Sequence, residues 1–413
     1  MNKKKIINDP VYGFITIPSE LIFDLIQHPY MQRMRNIKQL GLTHLVYPGA
    51  LHTRFHHALG AMHLMGMAVE AIRSKGHIIS KDEEEAVTIA ILLHDIGHGP
   101  FSHALEHTLV EGISHEHIST LMMNSLNLQF GGKLDMALEI FNKRYPKHFL
   151  HQLISGQLDI DRLDYLNRDS FFTGVSEGVI GFDRIIKMLD VASGQLVVEE
   201  KGIYSLEKFL IARRLMYWQV YLHKTVIAAE QMLVKILERA KELAGNGATL
   251  FATPCLSYFL NNSVTAEEFK TDPQNLYKFS QLDDHDILTS IKVWADHSDV
   301  ILSTLCKHLI ARNLYQVEIS NDPPEAYKLN DLVKESMSIY NIEEDDASYF
   351  VFTDTIKNMA YSIVDGNINL LMKDGSIRDI TLASDDSNLV ALAKTIKKYI
   401  LCYLKELKHI DLQ

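Results

Sequence analysis

The sequence predicts a mostly α-helical protein with a smaller α+β region near its C-terminal end. Apolar residues recur at helical spacing through most of residues 18–310, and few segments in that range alternate between apolar and polar residues. From residue 313 the pattern changes, and short segments typical of strands follow. With 413 residues, of which 47% are hydrophobic, the chain is long enough to bury a large core.

The helical part contains seven predicted helices, and a short β element is expected ahead of them. The helices span residues 19–28, 30–39, 55–74, 81–93, 115–126, 161–170 and about 206–243. In the C-terminal part, strands are predicted at 349–353 and 368–372, with a hairpin turn at 373–376. We therefore divide the chain into an N-terminal segment packed on the core (1–50), a helical core (51–312) and an α+β region for assembly or regulation (313–413).

Composition limits the kinds of partner that the protein can have. A net charge of −11 argues against general binding to nucleic acid or to a membrane surface, although a local basic cleft for a small polyanion remains compatible with it. No segment reaches the roughly 18 apolar residues of a membrane span. Three cysteines lie far apart, at Cys255, Cys306 and Cys402, and are interpreted as reduced core residues. These features predict a cytoplasmic protein.

One segment carries the densest set of metal-ligand side chains. An apolar run over 86–93 leads into His94-Asp95-Ile96-Gly97-His98-Gly99-Pro100-Phe101-Ser102-His103. A buried helix that ends in an imidazole and a carboxylate, followed by glycines that allow close approach to the backbone, suits a metal ion and a phosphate.

Two other groups of polar side chains follow helical spacing. Arg54 and His57 lie one turn apart and suit a metal-bound phosphate, although a surface histidine beside a structural arginine would look the same. Asp161, Tyr165 and Asp169 form a stripe at i, i+4 and i+8, which is also compatible with an ordinary solvated helix face. Both groups remain open to a structural interpretation when taken alone.

A third stripe runs along the long predicted helix. Arg213, Tyr217, Tyr221 and Lys224 are spaced i, i+4, i+8 and i+11, a pattern able to hold a triphosphate and a sugar. Long cations lying over aromatic core residues are the alternative explanation. Separately, His115 follows Ser114, a plausible N-cap, and a histidine in the first turn of a helix is well placed to meet an anion.

Together, His57, the His94-Asp95 pair and Asp161 resemble the H…HD…D pattern of the HD-domain phosphohydrolases, in which two histidines and two aspartates bind one metal ion. More of the chain is similar to the deoxynucleoside triphosphate triphosphohydrolase branch of that family. The matching segments are Gln39-Leu40-Gly41, Pro48-Gly49-Ala50, Arg54-Phe55-x-His57-x-Leu59-Gly60, residues 94–103, His115-Glu116, Asp161-x-x-Asp164-Tyr165-x-x-Arg168-Asp169, Tyr221-Leu222-His223-Lys224 and Arg312-Asn313-Leu314-Tyr315. The resemblance extends over residues 5–316.

The resemblance implies an HD-domain helical core and an activity, the hydrolysis of dNTPs to deoxynucleoside and inorganic triphosphate. It implies one divalent transition metal (Mn, Fe, Co, Ni or Zn), bound by His57, His94, Asp95 and Asp161, with Mg as a counterion of the substrate. His115 would be the catalytic histidine, with Glu106 as its acidic partner. Substrate contacts are implied for Gln39, Leu40, Arg54, His98, His103, Arg162, Tyr165, Asp169, Arg213, Tyr221 and Lys224.

The resemblance also points to regulation and assembly. Lys5, Asn8, Gln32 and Arg35 match the stretch that binds a nucleotide effector in regulated members, and Arg312 could join it across a subunit boundary in a homodimer or homotetramer. The guanine-reading aspartate of those members is replaced by Gln27, so a structural use of these residues remains an alternative.

Other functions remain to be distinguished. Another HD phosphohydrolase, either a deoxynucleoside monophosphatase or a cyclic-dinucleotide phosphodiesterase, is the nearest alternative, although no Gly-Tyr-Pro signature of the phosphodiesterases follows the HD motif. A nucleotide-sensing or single-strand-binding protein without catalysis is the second. The acidic net charge weakens nucleic-acid binding, and none of the metal ligands implied by the resemblance is missing.

Overall fold

A computed structural model of the chain describes residues 5–101, 108, 110, 112–358, 366–384 and 396–407. Helices dominate it, as predicted, with a few small sheets. In the N-terminal half the helices are Glu20–Gln27, Pro29–Arg33, Arg54–Ser74, Lys81–Leu93, His115–Gln129, Asp135–Phe141, His148–Ile154, Ile160–Thr173 and Phe182–Met188. They continue as Ile203–Met216, Lys224–Gly245, Pro254–Asn261, Ala266–Thr271, Pro273–Phe279, Asp284–Trp294, Val300–Ile310, Ala326–Tyr340, Glu344–Ala347 and Ile380–Ala383. Among all the described residues, no helix is long and apolar enough to cross a membrane.

Three packed helices bring the motif residues together. The Arg54–Ser74 helix packs against both Lys81–Leu93 and Ile160–Thr173, and apolar side chains such as Leu64 and Leu163 are buried between them. His57 lies in the first turn of one helix and Asp161 in the first turn of another, while His94 follows the last residue of the third. Their polar ends meet because burying the apolar faces fixes how the helices align.

Three small sheets complete the described part of the fold. The first pairs the antiparallel strands β1 (Ile6–Asp9) and β2 (Gly13–Thr16). The second has the order β3-β4-β7-β8 and the third the order β5-β9-β6. Their strands are β3 (Leu189–Ala192), β4 (Gln195–Glu199), β5 (Gln316–Ser320), β6 (Val351–Asn358), β7 (Asn369–Leu371), β8 (Ile377–Asp379) and β9 (Ile396–Tyr403). Because β7 pairs in parallel with β4, the C-terminal region is hydrogen-bonded to the helical core.

The prediction of one long helix over 206–243 is wrong. The first helix ends at Met216, a π turn follows over Tyr217–Tyr221, and a second helix begins at Lys224. Between them His223 adopts an extended conformation, and its Nδ1 accepts a hydrogen bond from the amide of Thr225 at 3.2 Å. The histidine caps the second helix, so Lys224 does not continue the face that carries Arg213.

The predicted helix over 30–39 is also too long. It ends at Arg33, a 3₁₀ turn follows over Met34–Asn36, and the next residues are extended. Lys38 forms a bridge with Thr53, and the Gln39 amide donates to the His52 carbonyl at 3.0 Å. A helix is not possible here because these hydrogen bonds come from a segment more than ten residues away. The β3–β4 hairpin within the core was not predicted either.

Candidate functional site

The centre of the site is a cluster of nitrogen and oxygen atoms that fits a metal ion. His57 Nε2 lies 3.4 Å from His94 Nε2 and 3.1 Å from Asp161 Oδ1, and His94 Nε2 lies 3.4 Å from the same oxygen. Asp95 completes the group, since its Oδ1 lies 3.4 Å from His94 Nε2. Two imidazoles and two carboxylates form a donor set that suits a divalent transition metal. The structure thus brings together the four side chains for which ligation was predicted.

Each of the two imidazoles has an oxygen atom within hydrogen-bond distance of its Nδ1 atom. His57 Nδ1 lies 2.7 Å from Asp164 Oδ2, and His94 Nδ1 lies 2.7 Å from the carbonyl oxygen of Ile91. If each Nδ1 carries the proton and donates it, each Nε2 keeps a free electron pair for the cluster. Burial opposes protonation of His57, but hydrogen bonds to Asp161 and Asp164 outweigh it and raise its pKa to about 10. The same carboxylates would attract a metal cation, whose binding releases this proton.

A buried arginine holds the carboxylate behind His57. Arg168 donates to Asp164 through Nε at 3.0 Å and Nη2 at 3.1 Å, and through Nη1 to Asp9 Oδ2 at 2.8 Å. Arg168 and Asp164 are fully buried, and Asp9 nearly so. Gly60 makes this arrangement possible, because a Cβ there would lie 2.1 Å from both Arg168 Nη2 and Asp164 Oδ1. The N-terminal hairpin is therefore tied to the metal ligands through one ion-pair network.

Beside the metal cluster lie the residues predicted to contact the phosphates. Arg54 Nη1 donates to Asp95 Oδ2 at 2.6 Å, and His98 Nε2 lies 3.4 Å from Asp95 Oδ1. The rings of His98 and His115 stack with their centroids 3.8 Å apart. Burial, followed by the charge of Arg54, lowers the pKa of His98 to about 3, so this imidazole is neutral near pH 7. His98 and His115 are thus paired at the edge of the cluster.

The HD motif packs tightly on the helix that begins with His115. The hydroxyl of Ser119 donates to the carbonyl of His94 at 2.7 Å and accepts from the amide of Gly97 at 2.9 Å. A Cβ at Gly97 would lie 2.3 Å from the His115 carbonyl oxygen. Glycine at this position is therefore a packing requirement, and it brings His115 close to the metal ligands.

On another side lies a group of residues predicted to contact a sugar. Asp169 is buried, and its two oxygens lie 2.7 Å from His52 Nε2 and 2.7 Å from the hydroxyl of Tyr221, which donates to it. The rings of Tyr165 and Tyr221 meet edge to face, with centroids 6.4 Å apart. Gln39 Oε1 is buried and has no hydrogen-bond partner in the described part of the chain. His52 was not identified from the sequence because its partner is 117 residues away.

Arg162 and Arg213 form a further group of predicted phosphate contacts. Arg162 pairs with the buried carboxylate of Asp159, and Arg213 Nη1 donates to Gln157 Oε1 at 3.2 Å. Both arginines line one cavity of about 860 Å³. Lys224 lines another cavity, of about 90 Å³, together with Arg312. The structure thus brings two of the four cations of the predicted phosphate site, Arg162 and Arg213, into one cavity.

The remaining predictions divide into three cases. Lys5, Asn8 and Arg35 line a cavity of about 490 Å³ with Gln27, and Arg35 stacks on Phe55 at 3.8 Å from the ring centroid. Gln32 supports this group by accepting a hydrogen bond from Arg35 Nε at 2.9 Å. Leu40 is partly buried against the core, directly after Gln39. His103 and Glu106 lie outside the described residues.

Arg33 is a functional candidate that sequence reasoning missed. Its buried guanidinium donates to the carbonyl oxygens of Ile96 at 2.9 Å, His98 at 2.7 Å and Leu282 at 2.9 Å. Two of these acceptors belong to the turn that follows the candidate metal ligands His94 and Asp95. The acceptors are at least 63 residues away in the chain, so no local pattern could reveal the role.

Replacing Arg33 by methionine is expected to weaken metal binding about 10–100-fold, because the turn after the ligands loses its anchor. The measurement is metal affinity by competition with a chelator of known strength. Arg184→Met is the matched control, since Arg184 is exposed and also donates to a carbonyl, that of Lys201 at 3.1 Å. Equal metal affinity in both variants would contradict the proposed anchoring role.

Comparison with known proteins agrees with this geometry. Residues 54–169 match the HD domain family, and residues 180–251 match the HD associated region. A crystal structure of a phosphohydrolase from Bacteroides thetaiotaomicron superposes with a TM-score of 0.94 at 54% identity, covering 97% of this chain and 100% of that one. An uncharacterized protein of Bacillus subtilis is 34% identical over 93% of this chain and 88% of its own length.

A relative with a named activity is more distant. The deoxynucleoside triphosphate triphosphohydrolase SAMHD1 homolog of Dictyostelium discoideum is 33% identical over 58% of this chain, which spans half of that protein's length. The matched region, the four clustered ligands and the near-complete structural match lead to one conclusion. The chain belongs to the HD-domain phosphohydrolases, a family to which dNTP triphosphohydrolases also belong.

Proposed function

We propose that the protein hydrolyses dNTPs to deoxynucleosides and inorganic triphosphate. The observation that carries this proposal is the set of groups that accompanies the metal cluster: Asp169, held by His52 and Tyr221, can bind a sugar hydroxyl, and Arg162, next to Asp161 in the chain, lines a cavity with Arg213. A substrate that combines a sugar, a reacting phosphate and further phosphates matches these groups.

The metal ligands in this proposal are His57, His94, Asp95 and Asp161. When bound, a divalent transition metal would supply Lewis acidity at the α-phosphate, an effect worth several kcal/mol in such sites. We propose Mn, Fe, Co, Ni or Zn for this position, with Mg accompanying the substrate.

We assign proton transfer and phosphate binding to residues around the ligands. His115 holds the proton that passes to the departing 5′ oxygen, a transfer suited to a histidine near neutral pH. Glu106 is proposed as its acidic partner. Neutral His98 donates a hydrogen bond to the phosphates with His103, and Arg54 adds a positive charge beside Asp95.

Selection of deoxyribose is assigned to Asp169 and the residues around it. Asp169, held by His52 and Tyr221, accepts from the 3′-hydroxyl, and the side chain of Gln39, whose Oε1 has no hydrogen-bond partner among the described residues, binds the same group. A 2′-hydroxyl would meet Leu40 and Tyr221, which offer packing rather than a new acceptor. Tyr165 adds its ring beside Tyr221.

The cations are assigned to the phosphate chain and to regulation. Arg162 and Arg213 neutralise the β- and γ-phosphates. Lys224 and Arg312, in their own small cavity, and the pocket of Lys5, Asn8 and Arg35 with Gln32 behind it, are proposed as effector contacts. We also propose a cytoplasmic homo-oligomer, a dimer or a tetramer.

The test is incubation of purified protein and divalent metal with each dNTP and each rNTP, with and without a second nucleotide. We expect triphosphate and deoxynucleoside as the products from dNTPs. For rNTPs we expect kcat/KM to be at least about tenfold lower, because poorer packing around the 2′-hydroxyl would cost about 1.4 kcal/mol of transition-state stabilisation. Products other than triphosphate would replace the proposal with a different HD phosphohydrolase. Nucleotide binding without turnover in every metal tested would identify a sensor instead.

A further inference from the structure

The cavity shared by Arg162 and Arg213 extends well beyond the arginines. Its volume of about 860 Å³ is near the upper end of the roughly 300–1,000 Å³ typical of small-molecule pockets. Among the described residues, its lining includes none of the four metal ligands and none of the residues assigned above to the sugar. We call this space, which both arginines line and none of the four candidate ligands lines, the distal cavity.

We call the part of the distal cavity that Arg162 and Arg213 line its inner end. This part suits an anion. Arg213 is only 6% exposed, and the Nε atoms of both Arg162 and Arg213 are buried without a hydrogen-bond partner in the described part of the chain. Asp159 neutralises part of the charge of Arg162 from behind, whereas Arg213 is held by an uncharged amide, that of Gln157. Buried donors without partners are costly unless a ligand satisfies them.

The rest of the lining, which we call the outer end, has a different chemistry. Amides, imidazoles and apolar side chains line it, with Lys143 as its one further cation and no carboxylate among the described lining residues. The residues that define this end are Gln152, Gln195, Asn367, His148, His151 and Leu196. His151, a residue without an evident role in the sequence, has Nδ1 3.0 Å from the Ile140 carbonyl, which leaves Nε2 as an acceptor. Amides and imidazoles beside apolar surface are suited to the edges and faces of a nucleobase.

We infer that the distal cavity accepts a second nucleoside joined to the terminal phosphate, so that the enzyme also hydrolyses deoxydinucleoside polyphosphates. This inference rests on the proposed dNTP hydrolysis and extends its substrate class. The phosphate chain lies between the metal cluster and the two arginines, and the second nucleoside occupies the amide-rich outer end.

The reaction is the same hydrolysis with the same leaving group, the 5′ oxygen of a deoxynucleoside, and with a larger polyphosphate product. The oxygen of water forms a bond to the α-phosphorus, the bond from that phosphorus to the 5′ oxygen breaks, and the 5′ oxygen gains a proton. With a deoxydinucleoside tetraphosphate, the products are a deoxynucleoside and a deoxynucleoside 5′-tetraphosphate. No oxidant or other reactant is needed.

The experiment compares the best dNTP with the symmetrical deoxydinucleoside tetraphosphate of the same base, using chromatography of the products. We expect kcat/KM values within tenfold of each other. A tetraphosphate that reacts more than 100-fold slower than the dNTP would overturn the inference while leaving the proposed function intact. Failure to hydrolyse both compounds would instead remove the proposed function, and the inference with it.

A blocking variant locates the second nucleoside. Ser155 is exposed and lines the distal cavity, so Ser155→Trp narrows it without touching the metal ligands. We expect at least a tenfold loss of kcat/KM for the tetraphosphate and less than a threefold change for the dNTP. Ser74→Trp, at an exposed serine that does not line the cavity, is the matched control. Equal effects of Ser155→Trp on both compounds, or no effect on either, would contradict the placement.

Discussion

Replacing His94 by alanine is expected to remove the bound metal and to lower kcat/KM for dNTPs by about 10³-fold. His94 Nε2 lies within 3.4 Å of His57 Nε2, Asp161 Oδ1 and Asp95 Oδ1, so its loss opens the donor set at the centre. Loss of about 4 kcal/mol of charge stabilisation corresponds to that factor. The measurements are metal content per chain by mass spectrometry and the rate of triphosphate release.

The control for this prediction is His285→Ala, since the side chain of His285 is 73% exposed and far along the chain from the cluster. It should keep both metal and activity. A His94→Ala protein that retains one metal per chain and hydrolyses dNTPs at the unaltered rate would show that the cluster is not the catalytic centre.

The second large effect is expected from Arg168→Met. Removing this guanidinium leaves Asp164 and Asp9 buried without their cation, and breaking a buried ion pair in this way costs about 3–5 kcal/mol. His57 also loses the support that orients it through Asp164, so metal affinity should fall about 10–100-fold. Urea denaturation of the metal-free protein measures the free energy of unfolding, and chelator competition measures the affinity.

Two further variants separate the causes. Arg144→Met removes an exposed pair with Glu139, which should change stability by less than about 1 kcal/mol. Adding Asp9→Asn to Arg168→Met should recover part of the lost stability, because one fewer buried carboxylate is left unpaired. If Arg168→Met lowers the free energy of unfolding by less than 1 kcal/mol, the ion-pair network is not important for stability.

Sequence motifs predicted the metal ligands but not all of the elements that carry them. The helices that present His57, His94 and Asp161 were predicted at nearly their observed positions, because each has a long apolar face and a capped start. The helix over 206–243 was predicted as continuous because apolar spacing continues through 217–223, where the backbone forms a π turn instead. Lys224, predicted to contact the triphosphate together with Arg213, therefore lines a different cavity from Arg213.

By itself, the sequence determined the fold class and the family and predicted four metal ligands, since these depend on residue identity, local spacing and ordered motifs. Only the tertiary structure decided which groups support them. Arg33 on the turn after the ligands, Arg168 on Asp9 and His52 on Asp169 act across 63 or more residues of chain, so their partners are set by helix packing. The distal cavity arises in the same way, because Arg213 and the residues of β4 meet only when distant apolar surfaces are buried together.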